Sequence, residues 1–186
     1  MIRALKKFAE NPYGGIEIDT TSGIGQFREL SPFILPTKLS KNFENLWQYS
    51  KVYSCHIGPD GLPNEQWYEW RYAGWHDVKA HRYPMGKGAV PLYSYWANNK
   101  LGYIEARKAI YAPVYASNVK ETDSFKRLME IYETRKDIVL RDYDTYDHVK
   151  LGMSLVDVIN NPNRKMGHSF VIIMVLTGVL DECITS

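Results

Sequence analysis

The chain has 186 residues, 45% of them hydrophobic and 24% charged, which suits one compact domain and excludes disordered and collagen-like proteins. Its formal charge of +2, from 23 basic and 21 acidic residues, excludes a protein that wraps nucleic acid through bulk electrostatics alone. Aromatic residues make up 13%, and the 14 tyrosines among them suit partly hydrated walls and interfaces.

The N-terminal half combines short strands with two helices. Residues 11–38 place four glycines and three prolines between short apolar pieces, a pattern typical of strands and turns. Residues 41–53 have apolar side chains at spacings of three and four, which predicts an amphipathic helix, and residues 65–75 predict a short aromatic helix. Residues 81–100 are interpreted as a long loop, and loops of that length tend to be functional.

The C-terminal half has mainly helical periodicity. Pro113 is expected to kink or end the first helix there. The predicted elements are a helix over 101–115, a helix over 121–135, a strand over 136–140, a helix over 151–162 and a final helix from about residue 164. The sequence therefore predicts an α+β fold, mainly helical with a small sheet, in a single domain over residues 1–186 with an aromatic and basic insert at about 54–100.

Several features favour a cytoplasmic protein with no membrane partner. The longest apolar run, residues 170–180, is shorter than the roughly 20 residues that span a bilayer. The first ten residues include basic side chains but lead into no apolar stretch, so we expect no secretory signal. Cys55 and Cys183 form no CxxC pair, and we predict two reduced, buried thiols.

Polar side chains stand in a row on the helix predicted over 41–53. Glu44, Gln48 and Lys51 recur at the spacing that stacks side chains on one helix face, and Asn45 and Trp47 flank them. A carboxylate, an amide and an ammonium in one row can orient a polar ligand, with Glu44 as a base or as a stabiliser of positive charge. The alternative is an ordinary solvated helix face.

The predicted loop HRYPMGKGAVP forms a second candidate cluster. Arg82 and Lys87 lie in it, and residues 79–108 hold six basic residues against one acidic residue. Glycines on either side of Lys87 let backbone amides approach a phosphate, and Arg82 can bind one through two hydrogen bonds. The alternative is a flexible basic loop.

Three aspartates and a histidine lie together in RDYDTYDH. Closely spaced carboxylates can raise one another's pKa for acid/base chemistry or bind a divalent metal. The EF-hand pattern is missing, and we favour a metal-free pair over a metal site. The alternative is a solvated turn that caps the next helix; the candidate side chains are Asp142, Asp144, Asp147 and His148.

His168 follows a glycine at a predicted helix start. The N-terminus of that helix, together with Arg164 and Lys165, is a candidate anion site. The alternative is a packed histidine. The chain has no GxSxG, HExxH, Walker A or GxGxxG motif, which disfavours hydrolase triads, zinc proteases, NTPases and Rossmann dehydrogenases.

Taken in order, these segments resemble the NADAR (YbiA-like) superfamily. The family helix E-H-x-F-Q-x-x-K is similar to ENLWQYSK, with Glu44, Gln48 and Lys51 matched, Trp47 as the aromatic residue and Asn45 in place of histidine. The segment 107–140 is similar to the family's middle helices and strand. RKMGHSFVIIM is similar to its last block, with Gly167 in register, whereas the D-x-x-W-G-x-G segment has no Trp here.

The resemblance implies a NADAR-like fold and an N-glycosidase, an enzyme that hydrolyses the C1′–N bond of ribosyl compounds. Glu44 and one of Asp142, Asp144 and Asp147 would stabilise the oxocarbenium-like transition state and activate water. Trp47 and tyrosines would stack on the base or ribose, and basic side chains would hold phosphates. The implied binding residues are Asn45, Trp47, Gln48, Lys51, Arg82, Lys87, His148 and His168.

The expected substrate is an ADP-ribosyl adduct, a nucleotide metabolite, or a modified base in DNA or RNA, as for a DNA glycosylase. We expect no metal and no cofactor. The ten rings between Trp67 and Tyr103 are predicted to stack against the substrate beside the basic loop. The alternatives are a non-catalytic module that binds a nucleotide or nucleic acid, and an interaction protein whose exposed rings contact a partner.

Overall fold

Two small sheets and a series of short helices make up the computed structural model, which describes residues 1–186. The first sheet is parallel, with β6 (Ile138–Asp142) between β1 (Ile2–Lys6) and β2 (Ile16–Asp19). The second is antiparallel, in the order β3 (Lys51–Val52), β4 (Tyr93–Trp96) and β5 (Asn99–Leu101). The predicted α+β class is confirmed.

The helices connect and cover the two sheets. In chain order they are α1 (Phe43–Tyr49), α2 (Glu65–His76), α3 (Tyr103–Ala106), α4 (Ala112–Val119), α5 (Asp123–Glu133), α6 (Leu155–Asn160), α7 (His168–Leu176) and α8 (Leu180–Thr185). Four of them begin at a residue whose side chain accepts a hydrogen bond from a backbone N–H of the first turn: Asn42, Asn64, Thr122 and Ser154. Such caps satisfy N–H groups that have no partner within the helix.

The core lies between the parallel sheet and helices α1, α4 and α7. Every residue of β6 is buried, because the strand has a neighbour on each edge. The first seven residues of α7 are buried as well, which explains the long apolar run in the sequence. Tyr115 of α4 donates a hydrogen bond to the Leu30 carbonyl (2.6 Å) and so crosses the core to the segment before α1.

Residues 103–119 are continuously helical, so the helix does not end at Pro113. Arg107–Tyr111 forms a π-helical turn, in which the Ala112 N–H donates to the Arg107 carbonyl five residues earlier. Pro113 therefore falls in the first turn of α4, where a missing N–H is tolerated.

Other segments also differ from the predicted elements. Residues 81–100 are not a uniform loop, because β4 and β5 form a hairpin whose turn residues, Ala97 and Asn98, have φ values of 46° and 62°. The first residues of the chain form β1. The final helix begins at His168, since Gly167 is its N-cap. Cys183 is buried as predicted, whereas Cys55 is exposed; both are free thiols.

No helix combines the length and the apolar composition needed to cross a membrane.

Candidate functional site

A cavity of about 480 Å³ opens where α1, the segment after β6 and the start of α7 meet. It also borders the loop before β4 and the π-helical turn. The cavity brings together eight of the twelve side chains that the sequence singled out: Glu44, Trp47, Gln48, Lys51, Arg82, Asp142, Asp144 and His168.

The predicted polar row of Glu44, Gln48 and Lys51 forms one wall of the cavity, but it does not lie on a single helix, because α1 ends at Tyr49 and Lys51 belongs to β3. Gln48 Nε2 donates to Glu44 Oε1 (2.9 Å), and Lys51 Nζ donates to Gln48 Oε1 (2.7 Å). The Lys51 ammonium also lies 5.1 Å from the centroid of the Trp47 ring. The Asn42 cap and the buried face of α1 fix this row. Glu44 Oε2 accepts no hydrogen bond from the chain, so one carboxylate oxygen is free for a ligand.

Burial shifts the pKa of both ionisable ends of this row. Desolvation raises the pKa of Glu44, although the Gln48 hydrogen bond and the nearby Lys51 and Arg82 charges oppose the rise. Desolvation lowers the pKa of Lys51 to about 8, and the attraction of Glu44 only partly offsets it. Neither side chain has an oppositely charged partner within 4.0 Å. The pKa values of the Glu44 carboxyl group and of the Lys51 ammonium are therefore both shifted toward neutral pH.

Asp142 occupies the N-terminus of α7. Its Oδ2 accepts from the Ser169 N–H (3.2 Å) and lies 3.2 Å from His168 Nδ1, and its Oδ1 accepts from the Asp144 N–H (3.3 Å). The anion site predicted at this helix start is therefore filled by the protein's own carboxylate. Asp142 is 3% exposed, and both of its carboxylate oxygens have partners within the chain.

His168 is held between two acceptors, which makes it both packed and polar. Its Nε2 donates to the Thr20 carbonyl (2.9 Å), and its Nδ1 faces Asp142 Oδ2. Because the Thr20 bond uses the Nε2 proton, the contact with Asp142 requires a proton on Nδ1 or on the carboxyl group. The pair ties the end of β2 to the end of β6 beneath the cavity.

Asp144 forms ion pairs with two cationic side chains at the edge of the cavity. Arg82 lies 2.9 Å from Asp144 Oδ2, and Lys165 lies 3.3 Å from Oδ1. The carboxylate thereby holds both cations over the cavity, where an anionic substrate can meet them. The basic loop and the acidic loop, which the sequence treats separately, meet in this ion-pair triad.

Aromatic side chains form much of the remaining wall, but few come from the predicted region. Only two of the ten rings between residues 67 and 103 border the cavity, Tyr83 and Tyr103. Trp67 is fully buried, packs with Val52 and Tyr95 in a second small core, and donates to the Lys51 carbonyl (2.9 Å). Eight of the ten rings predicted to stack on the substrate therefore do not border this cavity. The other rings at the wall are Phe33, Trp47, Tyr53, Tyr111 and Tyr143.

Four predicted site residues lie outside the lining. Asn45 points into the protein, where its amide bonds the backbone of Asp77, Lys79 and His81 and so anchors the chain after α2. Lys87 is exposed, although Gly86 and Gly88 on either side of it border the cavity.

Asp147 and His148 also face away from the cavity, because the chain turns after Asp144. Asp147 accepts from the Tyr13 hydroxyl (2.5 Å) and lies 3.7 Å from Arg3. His148 is buried with its ring edge-on to Phe170, and burial lowers its pKa. Of the three aspartates in the acidic segment, only Asp142 and Asp144 border the cavity.

Arg107 is a lining residue that sequence reasoning did not place in the site. Its buried guanidinium donates to the carbonyls of Asn161 (2.7 Å) and Ile159 (3.3 Å) and to the Tyr103 hydroxyl (2.8 Å). These bonds cap the C-terminus of α6 and hold the following segment, which carries Lys165. A lone arginine in a helical pattern gives no signal of this cap, because the backbone carbonyls that Arg107 bonds lie more than 50 residues away in the sequence.

The structure contains no group of three or more His, Cys, Asp or Glu side chains arranged to hold a metal ion.

Gly167 makes the close approach of Asp142 to α7 possible. A Cβ at this position would collide with Asp142 Oδ2 and would lie 3.0 Å from the Asp144 carbonyl. We therefore expect Gly167→Ala to lower the free energy of unfolding by about 1–3 kcal/mol, as measured by urea denaturation.

Gly102→Ala is the matched control for this substitution. Gly102 is also a helix N-cap, with φ of −66° against −81° at Gly167. The stability cost of replacing an N-cap glycine by alanine is therefore common to both variants and cancels in their comparison. Its added Cβ would meet only the flexible end of the Glu105 side chain, at 3.3 Å. Equal losses of stability in the two variants would contradict a steric requirement at Gly167.

Comparisons of the chain with protein-family models, with curated proteins and with solved structures give no match.

Proposed function

We propose that the protein is an N-glycosidase that hydrolyses the C1′–N bond of a nucleotide-like substrate in this cavity. The observation that carries the proposal is Glu44, a buried carboxyl group with a raised pKa and an oxygen that no side chain occupies. Around it lie aromatic walls suited to a base and ribose, and cations suited to phosphate.

The proposed reaction needs a negative charge beside C1′ and an activated water. The C1′–N bond breaks through an oxocarbenium-like transition state, whose positive charge the Glu44 carboxylate stabilises. Glu44 then takes a proton from the attacking water, whose oxygen bonds to C1′. The departing base keeps the electron pair of the broken bond and takes a proton from solvent, and Glu44 returns its proton to solvent. A base with a raised pKa is well matched to this transfer near neutral pH.

The other side chains bind and orient the substrate in this proposal. Trp47 and Tyr111 meet at 5.0 Å between ring centroids and form a firm wall for the base or ribose. Arg82 and Lys165 hold phosphate, while Asp144 keeps the two cations in position. Gln48 fixes the orientation of the Glu44 carboxyl group.

Membership of the NADAR superfamily is part of the proposal. Its support is the polar row, in which the three matched residues Glu44, Gln48 and Lys51 lie along one wall and bond in sequence. Gly167, matched in the last block, lies where only a glycine avoids Asp142. The Asn45 that replaces the family histidine points away from the cavity.

The direct test is release of a free base. The protein would be incubated with ADP-ribosylated nucleosides, free nucleotides, and oligonucleotides carrying modified bases, and the products separated by liquid chromatography with mass detection. We expect one class to yield a free base and a reducing sugar. Failure to release a base from any class, together with measurable nucleotide binding, would instead favour the non-catalytic binding module.

A further inference from the structure

A second cavity, of about 500 Å³, adjoins the candidate site. It lies at the end of β1, between the segment that follows β6 and the segment that precedes α7. Tyr143, Asp144 and Lys165 border both cavities, so the two share one wall. A ligand in the first cavity therefore needs to pass only this wall to reach the second.

The acidic residues of the second cavity already have cationic partners. Asp144 pairs with Arg82 (2.9 Å) and Lys165 (3.3 Å), and Asp147 lies 3.7 Å from Arg3. Neither carboxylate thus leaves an uncompensated negative charge that would repel an anion from this cavity.

Two further cations of the second cavity have no acidic partner. Lys6, at the end of β1, and Arg164, before α7, form no ion pair in the chain. Both are exposed, so they are available to a ligand from solution. The positive charge of the cavity is therefore uncompensated, as an anion-binding site requires.

Tyrosine rings lie beside Arg164 and beside two other cations, Lys7 and Arg82, that do not border the second cavity. The Tyr143 ring, 44% exposed, is 5.0 Å from Lys7 Nζ and 5.8 Å from Arg82 Cζ, measured at its centroid. In the second cavity, Arg164 Cζ lies 5.0 Å from the centroid of the Tyr146 ring. Rings that alternate with cations suit a ligand that alternates bases with phosphates.

We propose that the second cavity is a subsite for a further phosphate-linked nucleoside of the same substrate. The inference rests on the proposed function, because the scissile sugar occupies the first cavity. The ligand crosses the shared wall at Tyr143, and Lys6 and Arg164 bind the phosphate beyond it. A substrate with two nucleosides is thus preferred over a mononucleotide, whether its link is a diphosphate or a phosphodiester.

Calorimetric titration with three probes tests the subsite. Adenosine monophosphate represents one nucleotide, diadenosine diphosphate represents the diphosphate link, and the dinucleotide pdApdA represents the phosphodiester link. We expect at least one two-nucleoside probe to bind the wild type about tenfold more tightly than the mononucleotide, the effect of one charge-assisted hydrogen bond. The probe with the larger gain identifies the link.

The double variant Lys6→Gln/Arg164→Gln should lose this tenfold gain and keep its affinity for adenosine monophosphate. The control Lys120→Gln/Lys136→Gln removes the same charge from exposed lysines that border neither cavity, and it should keep the gain. Both double variants replace exposed side chains, and circular dichroism would verify their folding.

The outcomes separate the subsite from the proposed function. Equal affinity of the wild type for all three probes, or a gain that persists in Lys6→Gln/Arg164→Gln, would overturn the subsite alone. A loss of affinity for adenosine monophosphate in that variant would also overturn the subsite. Adenosine monophosphate would then bind in the second cavity and not, as proposed, in the first. Absence of binding by every probe would overturn the proposed function and the subsite with it.

Discussion

Replacing Glu44 with glutamine is expected to lower the rate of base release by about 10²–10⁴-fold while leaving substrate affinity nearly unchanged. Glutamine has the same shape and can still accept the hydrogen bond from Gln48, so the polar row keeps its geometry. It has no negative charge to stabilise the transition state and cannot take a proton from water. The effect should therefore appear in kcat and not in KM.

Single-turnover rates and titration of the variant with product would measure this effect. Glu130→Gln, an exposed position on α5 outside both cavities, is the matched control and should retain the wild-type rate. Because the pKa of Glu44 is raised, wild-type activity should also decline as the pH falls through that raised value. A Glu44→Gln variant with the wild-type rate would remove Glu44 from the proposed chemistry.

Replacing Lys51 with methionine is expected to stabilise the protein near neutral pH by up to about 3 kcal/mol, the equivalent of the pKa shift from 10.5 to about 8. The folded state keeps the ammonium in a desolvated position, where its only hydrogen bond is to Gln48. Methionine fills similar space against Trp47 without that cost. A functional site often keeps a side chain that lowers the stability of the fold, as the buried Lys51 ammonium does here.

The pH dependence gives a sharper test of Lys51 than stability at one pH. Between pH 8 and 10.5 the unfolded chain binds a proton at Lys51 that the folded protein has lost, so wild-type stability rises with pH in this window. Lys51→Met lacks this contribution. The stability advantage of the variant should therefore shrink by about 2 kcal/mol between pH 7 and pH 9.5, as measured by urea unfolding.

Lys120→Met serves as the control, because Lys120 is exposed and makes no ion pair. The difference between this variant and the wild type should not depend on pH over the same range. An advantage of Lys51→Met that stays constant from pH 7 to pH 9.5 would contradict a desolvated ammonium at position 51.

The local parts of the candidate site were predictable from the sequence. Helical spacing places Glu44 and Gln48 on one face of α1, and the structure shows them bonded. The same spacing puts Lys51 on that helix, whereas α1 ends at Tyr49 and Lys51 reaches Gln48 from β3. Helix α5 and a strand near residues 136–140 also follow from local signals, helical spacing and a short apolar run, although the strand runs two residues further, to Asp142. Each of these features depends on residues within one or two turns of the chain.

The contacts that complete the cavity depend on residues far apart in sequence. Arg82 reaches Asp144 across 62 positions, and His168 reaches Thr20 across 148. The distinction between Asp144 and Asp147 depends on where the chain turns after β6, which no spacing rule determines. Aromatic content does not tell a cavity wall from a core, and this is why most rings between Trp67 and Tyr103 were misplaced. A ring such as Trp67 packs equally well in a buried core and in a binding wall.

The position of β6 between β1 and β2 constrains when the molecule can be completed during synthesis. Both edge strands lie in the first 19 residues, and the strand that joins them begins at Ile138. Most of the chain must therefore leave the ribosome before this sheet can form, and such long-range parallel pairing is slow. The floor of the cavity, built by β6 and the start of α7, is among the last parts to assemble. Until then two strands expose unpaired edges, so nascent chains are open to aggregation and to chaperone capture.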